Sequence, residues 1–196
     1  MDSDYEFRSG PLVLLPYVAG ACAFSEKILA ELFDRIHEED LWPIVFHEDP
    51  GLTLARFYDF FSNGKALLQI LVTMDNDKLV GIAGLSWLAD IAVVGGAMTR
   101  GFGSFMFFRK YQTPAFTTIF GDLILKFWFT ALNMDTICGI TPEPNRAARN
   151  YVQRLGFTEV GRIPNYTTFD GKVVDGWVNA MTKEQYLQLP KEAVNY

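Results

Sequence analysis

The order in which apolar runs of two different periods succeed one another limits the fold of this chain more than any single motif. "PLVLLPY" (Pro11–Tyr17) is an apolar run of strand length closed by proline. "SEKILAELFDRIHEE" then sets Ile28, Leu29, Leu32, Phe33 and Ile36 at helical spacing behind Ser25 as N-cap. "TLARFYDFFSNG" predicts a shorter helix from Thr53, ended by Asn63-Gly64. Between them "DLWPIVFHEDPG" is a loop rich in aromatics, of the kind that borders ligand sites. "ALLQILVT" and "KLVGIAGLSWLA" are two strands around "MDND", where Asp75, Asn76 and Asp77 favour a turn because their side chains mimic backbone hydrogen bonds.

Further on, "VVGGAMTRGFG" breaks regularity with glycines and "SFMFFRKY" resumes as a strand. Pro114 to Leu132 is a long central helix, "TICGI" a short buried strand, and a second helix follows Asn145. "TEVGRIPNYTTFDGKVVDGWVNAMT" forms a hairpin turning near Asp170-Gly171, and a short helix from Thr182 ends before Pro190. The resulting order is β-α-α-β-β-β-α-β-α-β-β. Helices interleave with strands while several strands connect directly, so an α/β fold with a mixed sheet is expected.

Composition narrows what such a sheet does. With 196 residues, 49% hydrophobic content and 17 phenylalanines, a single domain spanning 1–196 is expected, with 183–196 as a C-terminal tail. A net charge of -6 argues against a general nucleic-acid binder but leaves room for a local basic pocket. Cys22 and Cys138 provide no disulfide framework and suit a reducing compartment, with Cys138 as a small core residue. Two histidines and two distant cysteines give a metal site little basis. The acidic start "MDSDYEFRSG" is unlike a secretory signal. Asp122 and Lys126 inside the most apolar helix argue for a core helix rather than a membrane span. A cytoplasmic protein without membrane association is the expectation.

Two helix entrances carry the chemistry. In "TPEPNRAARNYVQRLGF", Asn145 is the N-cap, and Ala147, Ala148, Tyr151, Val152 and Leu155 form an apolar stripe. Arg146, Arg149, Asn150, Gln153 and Arg154 take the other side, Gly156 stops the helix, and Phe157 returns to the core. Folding alone accounts for all of this. In "RKYQTPAF", Thr113 is a cap and Pro114 the first helical residue, so the N–H groups of Ala115, Phe116 and Thr117 would be free to hold an anion. Arg109, Lys110 and Gln112 stand just before as further donors.

Together these features resemble the GNAT superfamily of acyl-CoA-dependent N-acetyltransferases, and more loosely its divergent bacteriophage-encoded members. The resemblance is carried by Asn145-x-x-Ala148 followed by Leu155-Gly156-Phe157, and by element order over nearly the whole chain. It implies a three-layer fold with helices on both faces of a mixed, mostly antiparallel sheet. Its fourth and fifth strands, here Ser104–Arg109 and Thr136–Ile140, would splay to admit the pantetheine of acetyl-CoA. It also implies a cofactor-binding set of Phe107, Phe108, Arg109, Lys110, Gln112, Thr113, Ala115, Phe116, Asn145 and Arg149. A primary amine would attack the thioester directly in a ternary complex. Asn145 would lie near the pantetheine arm or the departing thiol, with Tyr151 as the tyrosine next to the usual acid's place, while Asp90, His47 or Glu48 could substitute for the missing acids.

Three departures from the family pattern keep a second reading open. The phosphate loop, ordinarily Gln/Arg-x-x-Gly-x-Gly/Ala, here reads "QTPAFT". Val152 stands where a tyrosine acid is usual, with Tyr151 one residue early. "SFMFFRKY" holds no carboxylate. The alternative is a GNAT-fold binding or assembly module without catalysis, such as a phage virion protein, which would form a homo-oligomer or larger assembly through its aromatic surface.

Overall fold

A computed structural model describes residues 7–16, 23–41, 53–62, 66–75 and 78–190. The elements are β1 (Phe7–Ser9), β2 (Leu12–Pro16), α1 (Ala23–Glu38), α2 (Leu54–Ser62), β3 (Ala66–Asp75), β4 (Lys78–Val94) and β5 (Ala97–Phe107). A 3-10 turn at Arg109–Tyr111 leads to α3 (Pro114–Lys126), then β6 (Thr136–Pro142), α4 (Arg146–Arg154), β7 (Thr158–Phe169), β8 (Lys172–Thr182) and α5 (Lys183–Gln188). The strands form one sheet in the order β1-β2-β3-β4-β5-β6-β8-β7. Every pairing is antiparallel except β5 with β6. The mixed, mostly antiparallel sheet expected from sequence is therefore present.

Alternation along the strands builds two cores. In β2, Leu12 and Leu14 face one layer while Val13 faces the other. The first layer holds Phe120, Leu123, Ile124 and Trp128 from α3 and its extension, with Tyr151, Val152 and Leu155 from α4. The second holds Ile28, Leu29, Leu32 and Ile36 of α1 and Phe57 and Phe61 of α2. A 16-residue helix with an apolar face does not hold alone in water; burial against the sheet supplies most of its stability.

Several boundaries differ from the sequence expectation, each for a local reason. β1 was not expected: at three residues it is too short to show a period, and it is held by pairing Phe7 with Leu14 across Gly10. α1 begins at Ala23, so Ser25 lies inside the helix rather than at its cap. The glycine-rich stretch is not a break. β4 runs on to Val94, and Gly95-Gly96, with φ of 59° and 85°, make a two-residue hairpin turn into β5. β5 ends at Phe107, so Arg109 sits in the following turn. The long helix ends at Lys126 and passes into a wider π-type turn, Phe127–Ala131, closed by Leu132 N–H donating to Phe127 O at 3.0 Å.

That turn aims Trp128 beneath the sheet. Its Nε1–H donates to Gln69 Oε1 at 3.0 Å, and Ser86 Oγ donates to the same oxygen at 2.9 Å. All three side chains are buried, so one amide oxygen ties β3, β4 and the turn after α3 together. Among the described residues, no helix is long and apolar enough to cross a membrane.

Candidate active site

Strands β5 and β6 pair over three positions only: Arg100 with Thr136, Gly101 with Ile137, and Phe102 with Cys138. Beyond that point β5 continues for five residues and β6 for four, without pairing to each other. β5 remains bonded to β4 as far as Phe107, and β6 to β8 as far as Pro142. The parting is therefore a gap inside an otherwise continuous sheet. Successive backbone groups of a strand point to opposite neighbours, so alternate N–H and C=O groups of Gly103–Phe107 face this gap. At its root the strands are close, since a Cβ on Gly139 would lie 3.3 Å from the carbonyl oxygen of Gly103. Gly103 is itself required there: a Cβ would come within 2.7 Å of the Trp128 ring.

Both strands end toward helix N-termini. At α3, Thr113 Oγ1 accepts from Phe116 N–H at 3.4 Å, and Thr117 N–H already bonds Thr113 O at 2.9 Å. Of the three donors expected to be free, only Ala115 N–H lacks a partner among the described residues. At α4, Asn145 Oδ1 accepts from Ala148 N–H at 3.1 Å, as its capping role requires. Arg146 N–H bonds Pro144 O and Arg149 N–H bonds Asn145 O, which leaves Ala147 N–H open. Each entrance thus offers one backbone donor and the positive end of a helix dipole. Ala147 is exposed rather than part of the apolar stripe.

The cationic side chains point elsewhere. Arg109 donates through Nε and Nη2 to Glu39 O at 3.2 and 3.0 Å, so its guanidinium caps the end of α1. Gln112 Nε2 bonds Phe107 O at 3.0 Å, and the Lys110 ammonium lies 5.4 Å from the Tyr111 ring centre. Arg149 pairs with Glu159 at 2.8 Å and stacks 4.3 Å from the Trp177 ring centre, toward β7 and β8. Arg162 stacks on the same ring at 4.9 Å and bonds Asp175 and Glu143. Trp177 went unrecognised in the sequence. Its period-two register with Asn179 and Met181 was the available signal for a side chain turned toward α4.

Tyr151 is buried, and its hydroxyl donates to Thr117 O at 2.6 Å. Its ring meets Phe105 and Phe107 edge to face at 5.2 and 5.4 Å, so it packs against the free end of β5. Burial pushes the phenol well above its ordinary value, and Asp122 adds to the rise. The folded state keeps this proton where the unfolded chain loses it. Its contribution to stability is therefore complete below about pH 10 and is lost as pH rises beyond that. Tyr151→Phe is expected to flatten the alkaline decline of the thermal midpoint between pH 9 and 11, while costing about 1 kcal/mol at neutrality for the lost hydrogen bond. An unaltered alkaline decline would contradict the assignment.

Phe108 is buried under Arg35 on the opposite layer, whereas Phe107 and Phe116 belong to the α3 side. Asp90 is exposed, in a left-handed conformation (φ 49°) at the irregularity between β4 and β5. It stands level with the paired segment of β5, near the root of the gap. His47 and Glu48 lie outside the described residues. Cys138 sits at the last paired position, half-buried, with its thiol pushed up by burial.

Comparison with solved structures defines the class of fold. The spermidine N-acetyltransferase from Vibrio cholerae in complex with CoA and spermine superposes with a TM-score of 0.71 at 17% identity, covering 91% of this chain and 99% of that one. The dodecameric structure of spermidine N-acetyltransferase from Vibrio cholerae in intermediate state gives 0.70 at 16%, covering 92% and 98%. No family model and no curated protein matches the sequence. The chain shares with these structures the GNAT-like fold expected from its sequence, in a divergent sequence.

Proposed function

We propose that this protein is an acetyl-CoA-dependent N-acetyltransferase acting on a primary amine. The observation that carries the proposal is the gap between β5 and β6, open at the ends that lead to the entrances of α3 and α4. In this reading the pantetheine arm enters the gap and bonds backbone groups of Gly103–Phe107 that face it. The diphosphate meets the N–H of Ala115. The amine attacks the thioester carbonyl, and the oxyanion is held by a β5 N–H. Collapse expels the thiolate, which gains one proton as the amine nitrogen loses one. Asp90, exposed and near the root, accepts the amine proton through water, and Asn145, at the open end of the gap, stands beside the pantetheine arm. Tyr151 lines the gap as a packing residue, because its proton is held by Thr117 O.

A polyamine is the first acceptor to test, since the compared enzymes act on spermidine and this chain carries a net charge of -6. The reading places the protein in a cytoplasm that supplies acetyl-CoA, that of a host cell for a phage-encoded chain. A second reading, a fold-retaining binding or assembly module, is favoured by the single free N–H at α3 and by Arg109 turning to Glu39. Calorimetric titration with CoA and desulfo-CoA, followed by thiol release across an amine panel, separates the two. The enzyme reading expects binding below millimolar concentration and thiol release with at least one amine. Binding of neither ligand at millimolar concentration would leave the assembly module.

A further inference from the structure

We propose that Glu39, at the end of α1, is a positioning residue for the turn that seats the cofactor's diphosphate; this rests on the CoA reading above. No glycine occurs between Arg109 and Thr118, so the seat cannot mould its backbone to a phosphate as a glycine loop does. It has to be held in place beforehand, and the structure shows what holds it. The backbone N–H of Arg109 donates to Glu39 Oε2 at 2.6 Å, a short charge-assisted bond between elements 70 residues apart. The Arg109 guanidinium returns two bonds to the Glu39 carbonyl, one of the last acceptors of α1.

Arg35, one helical turn earlier, fixes Glu39 in turn. Its Nη2 lies 3.6 Å from Glu39 Oε1, its Nη1 donates to Ile82 O at 2.7 Å, and its guanidinium covers Phe108 at 4.0 Å. The chain from Phe108 to Thr113 is then closed by its own bonds. Phe108 N–H reaches Ala83 O at 3.1 Å, Tyr111 N–H reaches Phe108 O at 2.8 Å, and Gln112 N–H reaches Arg109 O at 3.2 Å. The result is a rigid path from the end of α1, on one face of the sheet, to the Ala115 N–H on the other. Preorganised donors hold an anion without reorganising when it arrives.

The test is calorimetric titration with CoA of the wild-type chain, Glu39→Leu, Glu39→Gln and Arg109→Ala, each with its unfolding midpoint. Glu39→Leu is expected to weaken CoA by roughly 5–30-fold, the equivalent of losing one or two such interactions. Glu39→Gln, which keeps an oxygen for the Arg109 N–H, is expected to restore most of that affinity. Arg109→Ala is expected to weaken CoA without altering the ionic-strength dependence of binding, since the guanidinium faces Glu39 rather than phosphate. Wild-type affinity in Glu39→Leu would overturn the proposal, and so would a shallower ionic-strength dependence in Arg109→Ala. Wild-type protein that fails to bind CoA would remove the CoA reading itself.

Discussion

Replacing Trp128 by alanine is expected to cost about 3–5 kcal/mol, a large share of the ~5–15 kcal/mol that holds an ordinary domain. The side chain is fully buried, and its ring lies against Gly103 at the position where β5 leaves β6. Its removal opens a cavity that the neighbouring Ile137 and Met134 cannot fill without moving the strand. It also takes one of two donors from Gln69 Oε1. Trp128→Phe keeps an aromatic ring but loses the N–H and the part of the indole that lies against Gly103, so an intermediate loss of about 1–3 kcal/mol is expected. Urea denaturation of both variants measures the difference. A loss below 1 kcal/mol in Trp128→Ala would show that the strand does not rest on this ring.

Ala115→Glu is expected to move stability and cofactor binding in opposite directions. The residue is exposed in the first turn of α3, where the sequence supplies no acidic side chain. A carboxylate there interacts favourably with the helix dipole and is expected to stabilise the fold by about 0.3–1 kcal/mol. The same charge opposes a diphosphate at the adjacent N–H. At ~4 Å the repulsion is about 1–4 kcal/mol per charge pair, hence roughly tenfold or more in affinity. A raised midpoint with weakened CoA binding separates anion binding from folding, which a destabilising variant cannot do. Unchanged affinity would place the diphosphate elsewhere.

Helices and inner strands were legible because burial imposes a period on them. The stripe Ile28, Leu29, Leu32 and Ile36 is α1, the caps Asn145 and Thr113 stand where the sequence placed them, and the short helix expected from Thr182 begins one residue later, with Thr182 as its cap. Gly156 adopts the left-handed stop with φ of 94°. The glycines of "VVGGAMTRGFG" were harder, since a hairpin turn and a close ring contact use the same residue as an irregular loop. The site was legible in outline and less so in its bonds. Helix entrances follow from local chemistry, whereas the partners of Arg109 and Arg149 are 70 and 10 residues away. Nothing local in "FRKYQ" shows that its arginine answers to Glu39.

Amide hydrogen exchange with and without saturating CoA tests the central claim most directly. Arg100–Phe102 already pair with β6 and are expected to change little. Alternate amides of Gly103–Phe107, together with Ala115, are expected to exchange at least about tenfold more slowly once CoA occupies the gap. Unchanged exchange throughout Gly103–Phe107 in CoA-saturated protein would contradict the account, because the gap would then not be the cofactor's seat.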